Sequence, residues 1–263
     1  MQYKEVNIDF LINKITSKDK LFNGDYTIDP YRNCGFGCIY CDSSYEKVVY
    51  IKKNSIEILK KEIKKINKGK IIIGSVHDPY QEIEKERKLA RQILKILYKE
   101  GFSCHILTKS DLILRDLDII KKFKDCNVTI SISSIKKRNS DIFEKNVISP
   151  KKRFGLIRKL SEEGIKSGIS VIPFIPYITD KEIRDIFIKA KENKASYILY
   201  KYLELKGDQK NIFLNHIKNT YPNLINKYRK LYKDSYKPND KYLVKIDSLI
   251  NNISKDFIIK NKI

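Results

Sequence analysis

Tryptophan is missing from this 263-residue chain, methionine occurs once, histidine three times and cysteine five times. So few cysteines exclude a disulfide framework: the number is odd, the spacings are irregular, and such thiols belong to a reducing compartment. Long apolar runs are missing as well. No segment approaches the roughly 20 apolar residues of a membrane span, and the opening MQYKEVNIDFLINK has no uninterrupted apolar stretch of the kind a secretory signal requires. The expectation is a cytoplasmic protein with no membrane association.

Negative charge is also scarce, with 32 Asp and Glu against 54 Lys and Arg and a net charge of +22. Such an excess suits a polyanionic partner. The surplus is mostly lysine dispersed along helical stretches beside abundant Ile and Asn, however, as an AT-rich genome would write them, and dispersed lysine usually marks solvated faces. Charge alone leaves the partner open. At 41% hydrophobic residues, the chain can bury the core of one large domain, or of one domain with an appendage.

Short β-branched runs alternate with longer amphipathic ones from about residue 24. KIIIGS (70–75) has the look of a buried parallel strand, and in the stretch after it Ile83, Leu89, Ile93, Leu94, Ile96 and Leu97 keep helical spacing until Gly101 stops it. FSCHILTKS (102–110), NVTISISS (127–134), GISVIPFIP (168–176) and SYILYKYL (196–203) repeat the strand pattern. Between them helix starts are marked by Asn54 with Glu57, Ser149 before Pro150, and Thr179 with Glu182. With a first strand near 24–29 this makes six βα units. In NVTISISS one face carries Thr129, Ser131 and Ser133, and a polar face inside a parallel sheet needs a wet or ligand-filled lumen. The pattern therefore predicts an α/β fold of the partial (β/α)6 TIM-type barrel, with an N-terminal arm (1–23), the barrel (24–205) and a C-terminal helical extension (206–263) capping the open side. Lys109 falls at a strand's carboxyl end, where such folds place active sites, although a solvated strand end would read the same way.

CGFGCIYC (34–41) gathers three of the five cysteines at C-x3-C-x2-C spacing. A structural zinc site wants four ligands, commonly as two separated pairs, and after Cys41 the next Cys or His is His77. Three adjacent thiolates suit a [4Fe-4S] cube, held at three iron corners with the fourth left open. Zinc is the rival reading.

The motif, with an aromatic before its last cysteine and a first strand before it, resembles the radical S-adenosylmethionine (radical SAM) superfamily. DPYRNCGFGCIYC, DPYQEIEKE, ILTKSDLILRDLDII, VTISISS, GISVIPFIPYITD and LELKGDQKNIFLNHIKNTYPNLINKYRKLY are similar to its spore photoproduct lyase-like branch. The resemblance implies a [4Fe-4S] cluster on Cys34, Cys38 and Cys41, whose open iron binds SAM. Reductive cleavage then gives methionine and a 5′-deoxyadenosyl radical that abstracts hydrogen from substrate. It implies that Tyr40 lies against the adenine, that Ser75, His77 and Asp78 stand where the SAM amino group is received, and that Lys109 and Ser110, with Ser131 or Ser133, reach its carboxylate and ribose. Tyr40 as a packed loop residue and Asp78 as the start of a turn are the plainer alternatives. A flavodoxin- or ferredoxin-type electron donor is implied as partner.

The chain departs from the photoproduct lyases proper at two places. Ser75 stands where those enzymes carry a hydrogen-donating cysteine, and its O–H bond is too strong for that role; Asp42 replaces a second tyrosine. Cys104 and Cys126 read as small buried hydrophobes, and His216 and the C-terminal tyrosines as packing residues. Spore photoproduct repair is therefore not expected. The readings that remain are radical chemistry on a nucleic acid or nucleotide, the same chemistry on a small metabolite or peptide, or a non-catalytic metal-binding protein.

Overall fold

The computed structural model describes residues 1–17, 19, 21–44 and 46–257; the last six residues of the expected C-terminal extension lie outside the described residues. Among the described residues ten strands form two sheets: β1 (Gln2–Val6), β2 (Asn13–Lys14), β3 (Tyr26–Ile28), β4 (Tyr31–Arg32), β5 (Val48–Lys52), β6 (Lys70–Ile73), β7 (Ser103–Thr108), β8 (Cys126–Ser131), β9 (Lys166–Phe174) and β10 (Ile198–Tyr202). The larger runs β10-β9-β8-β7-β6-β3-β2. Its six strands from β3 to β10 are parallel and paired in chain order, and β2 adds one short antiparallel strand at the edge.

That order separates the two architectures open to six βα units. A doubly wound sheet reverses its strand order at a switch point, whereas here each strand is laid beside its predecessor without reversal, the winding of a partial TIM-type barrel. Alternation divides each strand between two environments. Ile71, Ile73, Ile106, Val128, Ile130, Ile169 and Val171 enter one core cluster with Leu94, Leu97, Leu160 and Phe187 of the surrounding helices. Each such side chain contributes roughly 1.5–3 kcal/mol by leaving water. The other face carries His105, Thr129, Ser131 and Ser170, all buried, with His105 hydrogen-bonded to Thr129 and Ser131 to Ser170, so the expected polar lumen is present.

The N-terminal segment is more than an arm. Gln2–Val6 pairs in parallel with β5, which pairs antiparallel with β4, and this three-stranded sheet has a small core of its own around Tyr31, Val49, Ile51, Ile83 and Leu89. Among the expected helix starts, Ser149 accepts a hydrogen bond from Lys152 N, while Asn54 instead exchanges two hydrogen bonds with the backbone of Ile8. The C-terminal helices Asp208–Thr220, Ile225–Tyr232 and Asp240–Phe257 attach near the carboxyl ends of β9 and β10: Tyr228 donates to Pro176 O, Tyr232 to Leu203 O and Tyr242 to Asp180. Phe143 stacks on Phe213 and meets His216 edge-on, the packing role expected of that histidine. No described helix is long and apolar enough to cross a membrane.

Candidate active site

The three motif cysteines lie on the loop that follows β3 and β4. Gly37 adopts φ +66°, a left-handed conformation that glycine occupies without strain. Inside the loop Cys34 N donates to Ser43 O at 2.8 Å and Cys41 N to Cys38 O at 3.0 Å. Three other parts of the chain hold it in place. Gln81 accepts from Gly35 N at 3.0 Å and donates to Asn33 O at 3.2 Å. The segment after the helix Lys137–Phe143 runs alongside, with Ile39 N donating to Phe143 O, Asn146 N to Phe36 O and the Asn146 amide to Gly35 O. From the C-terminal side Gln209 donates to Ile39 O.

Cys34, Cys38 and Cys41 all line one cavity of about 370 Å³ at the carboxyl ends of the barrel strands. Burial pushes the Cys34 thiol up to about 12, although it receives backbone N–H groups from Phe36 and Asp78, and burial holds Cys38 well above the ordinary thiol range despite the nearby Lys109 ammonium. Thiols in this setting ionise when a cationic metal core takes them as ligands. Among the described residues no three His, Cys, Asp or Glu side chains close on a single point as one metal ion requires.

Asp78 and Lys109 line the same cavity. Asp78 accepts from Thr108 Oγ1 at 2.7 Å, Lys109 N at 2.7 Å and Tyr80 N at 2.9 Å, and burial raises its pKa against those bonds. Two carboxylate oxygens offer about four acceptor positions, which leaves room for a further donor. Burial works against the charge on Lys109, but Cys38, Glu144 and Asp78 more than offset it, so the ammonium is held above the usual lysine range. Lys109 Nζ makes no hydrogen bond or ion pair with a described residue. A half-buried cation in that state fits a ligand carboxylate. Gly74, at φ +86°, gives these groups room: a Cβ there would sit 2.5 Å from Pro79 Cδ and 2.6 Å from Leu107 O.

Tyr40 lines the same cavity, yet its hydroxyl is engaged elsewhere, bonding to the Glu144 carboxylate and, at 2.9 Å, to Ser133. Glu144 is paired in turn with Arg153 at 2.5 Å, and both side chains are essentially inaccessible to water. Ser131 lines the cavity and shares a 2.9 Å hydrogen bond with Ser170. Ser75 also lines it, near Asp29. His77 stands beside the site, its backbone N donating to Asp29 at 3.2 Å, and Ser133 lies one layer behind Tyr40. Ser110 is farther out, where its hydroxyl caps the short helix Asp111–Asp116 by accepting from Leu112 N.

Several participants escaped the sequence reading. Thr108 was one residue from Lys109; Gln81 and Glu84 belong to DPYQEIEKE, where Glu84 accepts from Tyr31 and pairs with Arg115. Glu144 and Arg153 lie in stretches with no motif. At the mouth, Lys201 and Lys206 both pair with Glu204, at 3.1 and 3.0 Å, and with Asp42, Asp78 and Lys109 the lining carries three cations and three carboxylates.

The model of the radical SAM superfamily matches residues 28–190. An uncharacterised protein of Methanocaldococcus jannaschii is 33% identical over 213 residues, covering 77% of this chain and 79% of that protein, and one of Mycobacterium bovis is 25% identical over 228 residues, covering 79% and 67%. Among solved structures, spore photoproduct lyase complexed with dinucleoside spore photoproduct aligns with a TM-score of 0.66 at 15% identity, over 96% of this chain and 79% of that one. SuiB of Streptococcus suis bound to S-adenosylmethionine aligns with a TM-score of 0.61 at 15% identity, over 88% and 47%. At such identities these likenesses are of fold.

Proposed function

Because the chain belongs to the radical SAM superfamily, with the family's model spanning residues 28–190, we propose that Cys34, Cys38 and Cys41 hold three irons of a [4Fe-4S] cluster and that the cavity before them binds SAM for hydrogen abstraction from an organic substrate. The observation that carries this reading is the meeting of those three cysteines with Asp78 and Lys109 around one cavity at the barrel's carboxyl end. When bound and reduced by one electron, the cluster would supply reductive cleavage of the SAM sulfonium to methionine and a 5′-deoxyadenosyl radical.

The chain's own residues bind, orient and shield. Lys109 offers its unpaired ammonium to the SAM carboxylate, and Asp78 its remaining acceptor position to the amino group. Tyr40, tethered through its hydroxyl, presents its ring to the cavity as a platform for the adenine. Ser75 and Ser131 complete the polar wall, with His77 beside it and Ser133 behind Tyr40, while Ser110 acts on it only through the turn it caps. Phe36, Leu107 and Ile172 make the rest of the lining apolar and keep water from the radical.

The balanced charge of the mouth favours a small metabolite or a peptide over a nucleic acid as substrate. A strand of phosphates would be met by Lys201 and Lys206 sharing the one carboxylate of Glu204, and by the carboxylate of Asp42, which offsets the remaining positive charge. Spore photoproduct repair stays outside the proposal because Ser75 supplies no hydrogen atom. The test is anaerobic: protein reconstituted with iron and sulfide, reduced, and given SAM should release 5′-deoxyadenosine, with deuterium entering that nucleoside from the labelled substrate. Iron-loaded, reduced protein that binds SAM and leaves it intact would contradict the reading.

A further inference from the structure

The smaller sheet turns a cationic face to solvent. Register pairs Gln2 with Val48, Lys4 with Tyr50 and Val6 with Lys52 in parallel, and Arg32 with Tyr50 across the antiparallel edge, so these seven side chains share one side. The other side, with Tyr31, Val49 and Ile51, faces Ile83 and Leu89. On the open side there are three cations and no carboxylate. Lys4 and Arg32 are exposed, the Arg32 guanidinium lies 4.0 Å from the centre of the Tyr50 ring, and Lys52 Nζ donates to Asp29 O at 2.7 Å. Two acids lie behind this face: buried Asp29 attracts the Lys52 ammonium while accepting from His77 N, and Glu46 accepts from the Asn33 amide, so the exposed cations are Lys4 and Arg32.

This face touches the cysteine loop without opening onto the cavity. None of the seven residues lines the cavity, yet Arg32 is only two residues from Cys34, a separation of at most about 8 Å between Cα atoms. Asn33, between them, donates to Val48 O at 3.0 Å, which ties the sheet to the loop. A substrate must enter the cavity. An electron carrier needs only to come close to the metal centre, and this face offers that approach with charge of one sign around an aromatic anchor.

We propose that the face formed by Lys4, Arg32, Tyr50 and Lys52 docks an acidic one-electron carrier of the flavodoxin type. The inference rests on the functional reading above, since it requires the cluster on Cys34, Cys38 and Cys41. In the transfer one electron leaves the anionic flavin hydroquinone, which becomes the neutral semiquinone, and enters the cluster; no bond forms or breaks.

The test compares reconstituted wild-type protein with the double variant Lys4→Glu, Arg32→Glu and with a control carrying the same charge change elsewhere, Lys151→Glu, Lys152→Glu, two exposed positions on the helix Pro150–Glu162. The probe is a purified bacterial flavodoxin in its hydroquinone form. Semiquinone formation is followed by absorbance and the dissociation constant by titration, both across a salt series. The sheet variant should accept electrons at least tenfold more slowly and bind at least tenfold more weakly, with little remaining salt dependence, while the control stays within twofold of wild type. Reduction by dithionite should be equal in all three, which separates docking from the cluster itself. Flavodoxin transfer within twofold of wild type in the sheet variant would overturn the proposal. Wild-type protein with no dithionite-reducible cluster would instead overturn the functional reading beneath it.

Discussion

The hydroxyl of Tyr40 is bonded to the carboxylate of Glu144, a residue 104 positions away that lies beside Cys38 in an isolated antiparallel bridge. One side chain thus fixes both the aromatic wall of the cavity and the backbone of the cysteine loop. Arg153, inaccessible to water, neutralises Glu144 and also donates to Ser131 O at 2.8 Å, tying the assembly to β8.

Removing Glu144 should therefore be costly. Glu144→Ala strands the Arg153 charge in the interior and is expected to lower stability by about 3–5 kcal/mol, the usual cost of breaking a buried pair. Tyr40→Phe leaves Glu144 with Arg153, Ser133 and Ser140, and should cost about 1 kcal/mol. Urea denaturation of the metal-free proteins measures both, and equal losses would contradict the hierarchy.

Gln81 offers a contrasting case, since its amide serves the loop more than the barrel. Gln81→Ala removes the acceptor for Gly35 N and the donor to Asn33 O. Thermal unfolding should shift only modestly, while iron bound after reconstitution should be lost to a chelator several-fold faster than from wild type. An unchanged rate of iron loss would show that the loop holds its shape without this clamp.

Lys109→Met keeps the length of the side chain and removes its charge. The iron content of the reconstituted variant should match wild type, and its affinity for SAM, measured by equilibrium dialysis, should fall at least tenfold, about 1.4 kcal/mol or more. Undiminished affinity would remove Lys109 from the ligand's carboxylate.

His105 predicts how stability depends on pH. It lies at the base of the lumen between Thr129, at 2.6 Å, and Phe22 O, at 3.2 Å, and burial brings its pKa down to about 4 even though the Phe22 carbonyl favours the charged ring. The unfolded chain binds this proton near pH 6.5 and the folded one does not until about 4. Stability contributed by the neutral ring is thus present above pH 6.5 and lost as pH falls toward 4, by about 3 kcal/mol in all. His105→Gln should flatten that part of the urea-midpoint profile, and an equally steep profile would assign the loss to other groups.

The parts of the molecule legible in the sequence were those with a strong local signature. The β-branched runs at 70–75, 102–110, 127–134, 168–176 and 196–203 coincide with β6 to β10, because parallel strands buried on both faces leave little room for other residue types. The polar face of NVTISISS announced the lumen, and the cysteine spacing announced the loop. Val48–Lys52 was missed because it is short, flanked by lysines and stabilised by a partner strand 46 residues earlier in the chain. Glu144, Arg153 and Gln81 were missed for a related reason: each acts through long-range contacts that no spacing rule encodes. Ser110 shows the reverse, a residue next to Lys109 whose hydroxyl is occupied by a local cap.

Electron–nuclear double resonance on reconstituted, dithionite-reduced protein, mixed with SAM labelled with 15N at the amino group and 17O at the carboxylate, addresses the central claim most directly. Three thiolates with one open iron predict about four irons per chain and resolved couplings from both labels to the cluster spin. Zinc in place of iron, or a cluster signal that carries no coupling to either label, would contradict it.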